Sequence, residues 1–265
     1  MKAAPPACVA GGEDGMSLIE LKNVDCRIGM SHSSPGSVDL VFADPPFNIG
    51  VKYDACKDRM FPLQYLAWSR TWMMNVWDVL KETGTFWLAI GDDYVSELDH
   101  IARVLGFVRR NWVIWHYTFG VHCVTKFNRS HTHLLYYVKN KKRFTWNRLL
   151  VPSDRQTKYG DKRAAQQGKT PDDVWQFSRV CGTFKERNRI GCPCQMPEAI
   201  LARIIRACSN EGDLVLDPFA GSGTTLAVAK KLNRRFVGFE VSAKYCVQIQ
   251  KRLDVIQIGD PIASE

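Results

Sequence analysis

Apolar residues along the chain fall into short continuous runs, separated by stretches in which they recur every three or four positions. Residues 38–43, VDLVFA, are a nearly unbroken apolar run rich in β-branched side chains, which predicts a strand buried on both faces. Over residues 62–80, Leu63, Leu66, Trp72, Met73, Val76, Trp77 and Leu80 stand at helical spacing behind Pro62, and predict a helix that opens on that proline. A second buried strand is expected at 84–92, a helix at about 94–105, and long strands at 107–119 and 133–140. After residue 190 the alternation resumes, with helices expected at 197–208, 224–232 and 243–253 and strands at 213–216 and 235–240. Such alternation predicts an α/β fold, a mostly parallel twisted sheet with helices on both faces.

Composition narrows the class. A chain of 265 residues, 45% hydrophobic, can bury one large core. No apolar run approaches the roughly 18 residues of a membrane span, and the first residues lack a signal-peptide core, so a cytoplasmic protein is expected. Nine cysteines, odd in number and irregularly spaced, fit free thiols in a reducing compartment. Residues 1–15, rich in Ala, Pro and Gly, are expected to be a disordered tail, and 257–265 a short C-terminal one.

The net charge of +9 is unevenly placed: residues 139–189 hold fourteen Lys/Arg against five Asp/Glu, and the other 22 of each sign cancel. Phe144, Trp146, Tyr159, Trp175, Phe177 and Phe184 lie among these charges. A surface for nucleic-acid phosphates and bases and a merely solvated insertion both fit that composition.

Two loops carry candidate chemistry. The strand at 38–43 runs into Asp44, Pro45, Pro46 and Phe47, a stiff turn beside a carboxylate. The stretch DLVLDPFAGSGTT (213–225) reads as strand, glycine loop and helix: Asp217, Pro218 and Phe219 end the strand, Gly221 and Gly223 let the backbone turn tightly and approach a ligand closely, and Thr224 opens the helix. Glu240 ends the next strand, about where an acid would hold ribose hydroxyls. Leu226 stands where a dinucleotide fingerprint needs its third glycine, and no phosphate-loop lysine follows. The pattern therefore suits a nucleoside without a pyrophosphate.

DPPF followed 173 residues later by DPFAGSGTT resembles the β-class amino-methyltransferases of DNA, in which the catalytic motif precedes the cofactor loop. The likeness spans about 17–253. It implies a Rossmann-like methyltransferase fold in permuted order, S-adenosyl-L-methionine (AdoMet) as cofactor, and double-stranded DNA as substrate. It also implies a catalytic domain of 16–139 plus 190–256 around a target-recognition region at 140–189. Asp25 and Cys26 resemble the pair that borders the cofactor's adenine in that family. CPCQMP at 192–197 stands where the family usually has His-Pro-Thr-Gln-Lys-Pro, which leaves Gln195 and Pro197 as the transferable cofactor positions.

On this reading Asp44 and the Pro45 carbonyl accept the two N–H bonds of an exocyclic amine, Pro46 stiffens the turn, and Phe47 stacks on a base rotated out of the duplex. His122, Lys126 and Arg129 ahead of the basic segment, and Arg155, Lys158, Lys162, Arg163, Lys185 and Arg187 within it, are the candidate DNA contacts. An Asp-first motif favours adenine N6 in the family, with cytosine N4 next. Rival readings are methylation of RNA or of a protein amide, and an inactive fold that only binds DNA. Pro193 and Cys194 resemble the cytosine-C5 nucleophile but lie too close to the cofactor loop. Cys181, Cys192 and Cys194 lack metal-ligand spacing, and no metal is expected. By analogy with relatives, a homodimer and a cognate restriction endonuclease are the protein partners suggested.

Overall fold

The computed structural model describes residues 19–264 except 57, 119, 121, 183, 189 and 190. The tail expected at 1–15 lies outside the described residues. Fifteen elements follow in the order β1 (Ile19–Lys22), α1 (Cys26–Ser31), β2 (Val38–Ala43), α2 (Pro62–Val79), β3 (Leu80–Ile90), α3 (Val95–Val104), β4 (Val108–His116), β5 (His131–Val138), α4 (Asp154–Thr157), β6 (Val174–Gln176), α5 (Glu198–Cys208), β7 (Leu214–Asp217), α6 (Thr224–Lys231), β8 (Arg235–Phe239) and α7 (Ala243–Val255).

The strands form one sheet in the order β1-β8-β7-β2-β3-β5-β4-β6. Only β5 runs against its neighbours; every other pairing is parallel. The two-residue period of a strand explains why its runs are apolar throughout. On β2, Leu40 and Phe42 face a core shared with α5, α6 and α7, while Val41 and Ala43 face a second core with Tyr65, Trp72, Met73 and Val76 of α2 and Leu98 and Ala102 of α3. On β3, Trp87 and Ala89 join the first core, and Phe86, Leu88 and Ile90 the second.

From β2 the chain winds outward through β3, and from β7 it winds the other way through β8. Strands β2 and β7 are adjacent and parallel, with Leu40 opposite Val215 and Val41 opposite Leu216. A topological switch point therefore lies between them, the place where open α/β sheets hold ligands at the strands' carboxyl ends.

The basic segment is tied to the sheet. Its β6 extends the edge beside β4, Trp175 is buried, Phe144 and Phe177 pack on the first core, and Trp146 stacks on Tyr136 at 6.1 Å. Of the six aromatic residues there, Tyr159 and Phe184 are exposed without such a partner role in the core, so most of this aromatic content anchors the segment. Residues 257–264, expected as a tail, run along α5 and α6. The Pro261 carbonyl accepts from Lys231 Nζ at 2.9 Å, and the Ala263 amide donates to Glu198 at 3.0 Å.

Candidate active site

Asp44 follows β2 and Asp217 ends β7, so both carboxylates stand at the switch point. They line a cavity of about 320 Å³ together with Asp25, Cys26, Gly221 and Glu240. Pro218, Phe219 and Thr224 complete the wall on the side of the glycine loop. Asp58 makes a fifth acid in the lining, against the single cation of Arg27, so a pyrophosphate there would meet like charge. Burial, and then the charge of Asp217, push the Asp44 carboxyl up to about 8. Burial likewise raises Asp217 to about 6, against hydrogen bonds from Thr225 and the Phe219 amide. Asp25 moves the other way, held low by its hydrogen bonds with Arg27, and its side chain caps α1.

The glycine loop separates two roles. Gly221 has φ +52, and a β-carbon there would find nothing closer than 3.6 Å, so its bare backbone faces the cavity. Its amide donates to Glu240 Oε2 at 2.9 Å, and Glu240 Oε1 accepts from the Ser242 amide at 2.8 Å. Gly223 has φ +74, and a β-carbon there would lie 2.7 Å from Ile249 Cγ2. This glycine serves the packing of α6 against α7; contact with a cofactor was the reason expected from sequence for both glycines.

The turn after β2 is held from two sides. The Tyr65 hydroxyl donates to the Pro46 carbonyl at 2.8 Å. Beyond Phe47 the buried Asp58 carboxylate accepts from the amides of Asn48 at 2.5 Å, Ile49 at 3.2 Å and Val51 at 2.9 Å, with Asn48 itself at φ 61. A loop that closes on one buried carboxylate keeps the DPPF turn in place.

On the far side of Asp44 lies a second cavity of about 200 Å³, lined by Asp44, Phe47, Tyr53, Tyr117, Arg129 and Arg179 among others. Asp44, Tyr53, Cys194 and Met196 line both cavities, so the two meet at the DPPF motif. The Phe47 ring lies over Gly91, where an added β-carbon would be 3.1 Å away. Arg129 is fixed by Asp92 at 2.8 Å and Asp93 at 3.1 Å. Asp92 also faces His133 Nε2 at 3.0 Å and His131 Nε2 at 3.4 Å. The Trp112 indole donates to His133 Nδ1 at 2.9 Å, so Nε2 carries the imidazole proton and donates to Asp92. That tautomer and the Arg129 cation on the same carboxylate suit a hydrogen-bonded scaffold better than a metal.

Other sequence candidates sit elsewhere. Gln195 lines the second cavity and is held by the Asn188 amide at 2.9 Å and the Glu186 carbonyl at 2.9 Å. Pro197 is the residue before α5 and lines neither cavity. Cys192 is buried, and burial raises its thiol to about 12; burial also raises Cys194, so neither is a thiolate nucleophile at neutral pH. Arg155 and Arg163 both pair with Asp161, at 2.7 and 3.0 Å, and Lys158 pairs with Asp154 at 2.8 Å. His122, Lys126, Lys162, Lys185 and Arg187 are exposed. Tyr53, Asp58, Tyr65, Asp92 and Tyr117 were missed from sequence. Asp92 was the most accessible of them, an acid just past the carboxyl end of a buried strand.

A family model described as DNA methylase matches residues 38–251. The chain is 38% identical over 221 residues to the Type II methyltransferase M.HpaI of Haemophilus parainfluenzae, covering 82% of this chain and 68% of that protein. It is 34% identical over 255 residues to the DNA adenine methyltransferase YhdJ of Escherichia coli, covering 91% of this chain and 81% of that one. Among solved structures, the M1.HpyAVI–SAM complex superposes with a TM-score of 0.66 at 20% identity, covering 89% of this chain and all of that one. The cytosine-N4-specific PvuII DNA methyltransferase superposes with a TM-score of 0.68 at 18% identity, covering 90% of this chain and 87% of that one. At those identities the likeness is one of fold.

Proposed function

From its membership of the DNA methylase family, to which the chain belongs, we propose that this protein methylates the N6 amine of adenine in a specific sequence of duplex DNA. The observation that carries the proposal is the meeting of two cavities at Asp44, one acidic and the other aromatic and basic. AdoMet, when bound, supplies a sulfonium methyl group, and the acidic cavity suits its cationic centre and ribose. Gly221 and Glu240 are the proposed ribose-side contacts, with Asp25, Cys26, Asp217, Pro218, Phe219 and Thr224 around them; Gln195 and Pro197 support the wall from outside that cavity.

An exocyclic amine is a weak nucleophile because its lone pair is delocalised into the ring. Asp44 and the Pro45 carbonyl accept its two N–H bonds and favour a localised lone pair, and this preorganised pair of acceptors favours the transition state over the ground state. Phe47 offers a stacking face to the extruded base in the second cavity. Arg129 at its rim, Lys126 and His122 on the exposed loop that precedes Arg129, and Lys162, Arg163, Lys185, Arg187, Arg155 and Lys158 in the region 140–189, contact phosphates. Adenine is favoured over cytosine N4 by the Asp-first motif and by the adenine specificity that the E. coli relative's name carries, a relative that aligns over most of the chain. A homodimer is proposed by analogy with the β-class family, and a partner endonuclease by analogy with the Type II relatives.

Incubating plasmid DNA with the protein and methyl-labelled AdoMet, then digesting to nucleosides, tests the proposal. Label in N6-methyl-2′-deoxyadenosine is expected; label in N4-methyl-2′-deoxycytidine would move the target base, and label in 5-methyl-2′-deoxycytidine or in protein alone would overturn the reading.

A further inference from the structure

The excursion between β4 and β5 leaves and re-enters the fold at the rim of the second cavity. Tyr117 and Arg129, at its two ends, both line that cavity, and the Tyr117 amide donates to the Ser130 carbonyl at 2.9 Å, closing the neck. Arg129 is fastened to Asp92 and Asp93, so the loop's root is tied to the end of β3. At the tip, the Cys123 amide donates to the Asn128 side chain at 2.7 Å, which pulls 123–128 into a tight turn. On that turn Phe127 is 100% exposed and Val124 is 91% exposed, beside Lys126 and His122. Phe127 is the most exposed large apolar side chain among the described residues, and with Val124 it forms an apolar tip beside Lys126.

We infer that this loop enters the duplex at the target site and that Phe127 fills the gap left in the base stack when the base moves into the second cavity. The inference rests on the function proposed above. Lys126 gives the loop a cation, and His122 a ring nitrogen for hydrogen bonding, with which to approach the phosphates, which commits its partner to DNA. An aromatic wedge between base steps compensates the stacking lost on extrusion. Phe127 stands two residues before Arg129, which lines the cavity, inside the turn that the Cys123–Asn128 hydrogen bond closes. Phe127 acts as a positioning residue: it meets neither the reacting amine nor the cofactor.

The test maps the methylated sequence on plasmid DNA with the wild-type protein, then places a fluorescent analogue of the target base in a duplex of that sequence. Phe127→Ala should fold as wild type, blunt the fluorescence rise on binding, and raise KM for the duplex by about tenfold, the scale of one lost base–aromatic stack. A mismatch opposite the target base, which weakens the pair to be opened, should return most of the loss. Phe127→Trp should keep both readouts, and Val255→Ala, another exposed apolar residue on α7, should change neither. Phe127→Ala matching wild type in fluorescence and KM would overturn the inference while leaving the enzyme's function standing, and so would Phe127→Trp falling to the level of Phe127→Ala. Wild-type protein that methylates no DNA would instead sink the function, and this inference with it.

Discussion

The two cavities that meet at Asp44 are built from opposite materials. One is walled by Asp25, Asp44, Asp217 and Glu240 and backed by the glycine loop; the other is rimmed by Arg129 and Arg179 and walled by Phe47 and Tyr117. The difference follows from where each wall comes from. The acidic cavity uses acids at the carboxyl ends of β7, β2 and β8, positions set by the parallel sheet. The other draws on the β4–β5 excursion and on the segment leading into α5, outside the parallel half of the sheet. A cationic donor and a polyanionic acceptor can thus be held a short distance apart with each in a field of opposite sign.

The largest effect should come from the residue the cavities share. Asp44→Ala should lower the single-turnover methylation rate by about 10²- to 10³-fold, the scale of one lost preorganised partner, while AdoMet affinity in calorimetry stays nearly unchanged. A loss of affinity equal to the loss of rate would place Asp44 wholly on the cofactor side and break the proposed division.

Next in size is the contrast between the two glycines. Gly221→Val shares the backbone strain of a positive φ, at +52, but puts its branched side chain into the acidic cavity and should in addition weaken AdoMet by more than about tenfold, or 1.4 kcal/mol. Gly223→Val meets Ile249 at 2.7 Å and strains a backbone at φ +74, so its first effect should be a lower Tm in the absence of any ligand. Calorimetry and thermal melts on the pair separate the roles.

On the basic side, replacing Lys162 and Arg163 should weaken binding to all duplexes alike and flatten the salt dependence by about 0.9 in log–log slope per lost phosphate contact. Arg163 already shares Asp161 with Arg155, so a slope change of one contact, not two, would identify Lys162 as the phosphate partner.

The smallest effect concerns stability. The folded protein holds the Asp44 proton up to about 8, whereas the ordinary value is 3.8, so the native state binds more protons than the unfolded chain across that window and wild-type stability falls as pH rises through it. Asparagine carries no such burden. Asp44→Asn should therefore melt higher than wild type, by about 2–4 °C per kcal/mol gained, with the advantage growing up to the folded-state value and then levelling. An advantage that shrinks with rising pH would contradict the assigned direction.

The acidic cavity was largely legible in the sequence because each of its parts is local: an apolar run, then an acid or a glycine at the strand end. Asp44, Asp217, Gly221 and Glu240 all fall where strand-end positions put them. The second cavity was not, because its walls are joined only by the fold. Tyr117 and Arg179 lie far apart in sequence and share no periodic pattern. Asp58 and Tyr65 act on the DPPF turn through a loop closure and a helix packing that no spacing announces. Elements of three or four residues, such as β6 and α4, are too short to show a period, and β6 exists because β4 offers it an edge. Among the aromatic residues of the basic segment, composition left open a surface for bases or a solvated insertion, and Trp175 and Phe177 instead anchor that segment.

The division of labour between the cavities is tested most directly by a crystal structure with a non-reactive amine analogue of AdoMet. The account predicts the analogue in the acidic cavity, its ribose beside Glu240 and Gly221, and the amine that replaces the methyl-bearing centre pointing past Asp44 toward Phe47 and the second cavity. An analogue seated among Arg129, Arg179 and Tyr117, or one in the acidic cavity with its amine turned away from Asp44, would contradict it.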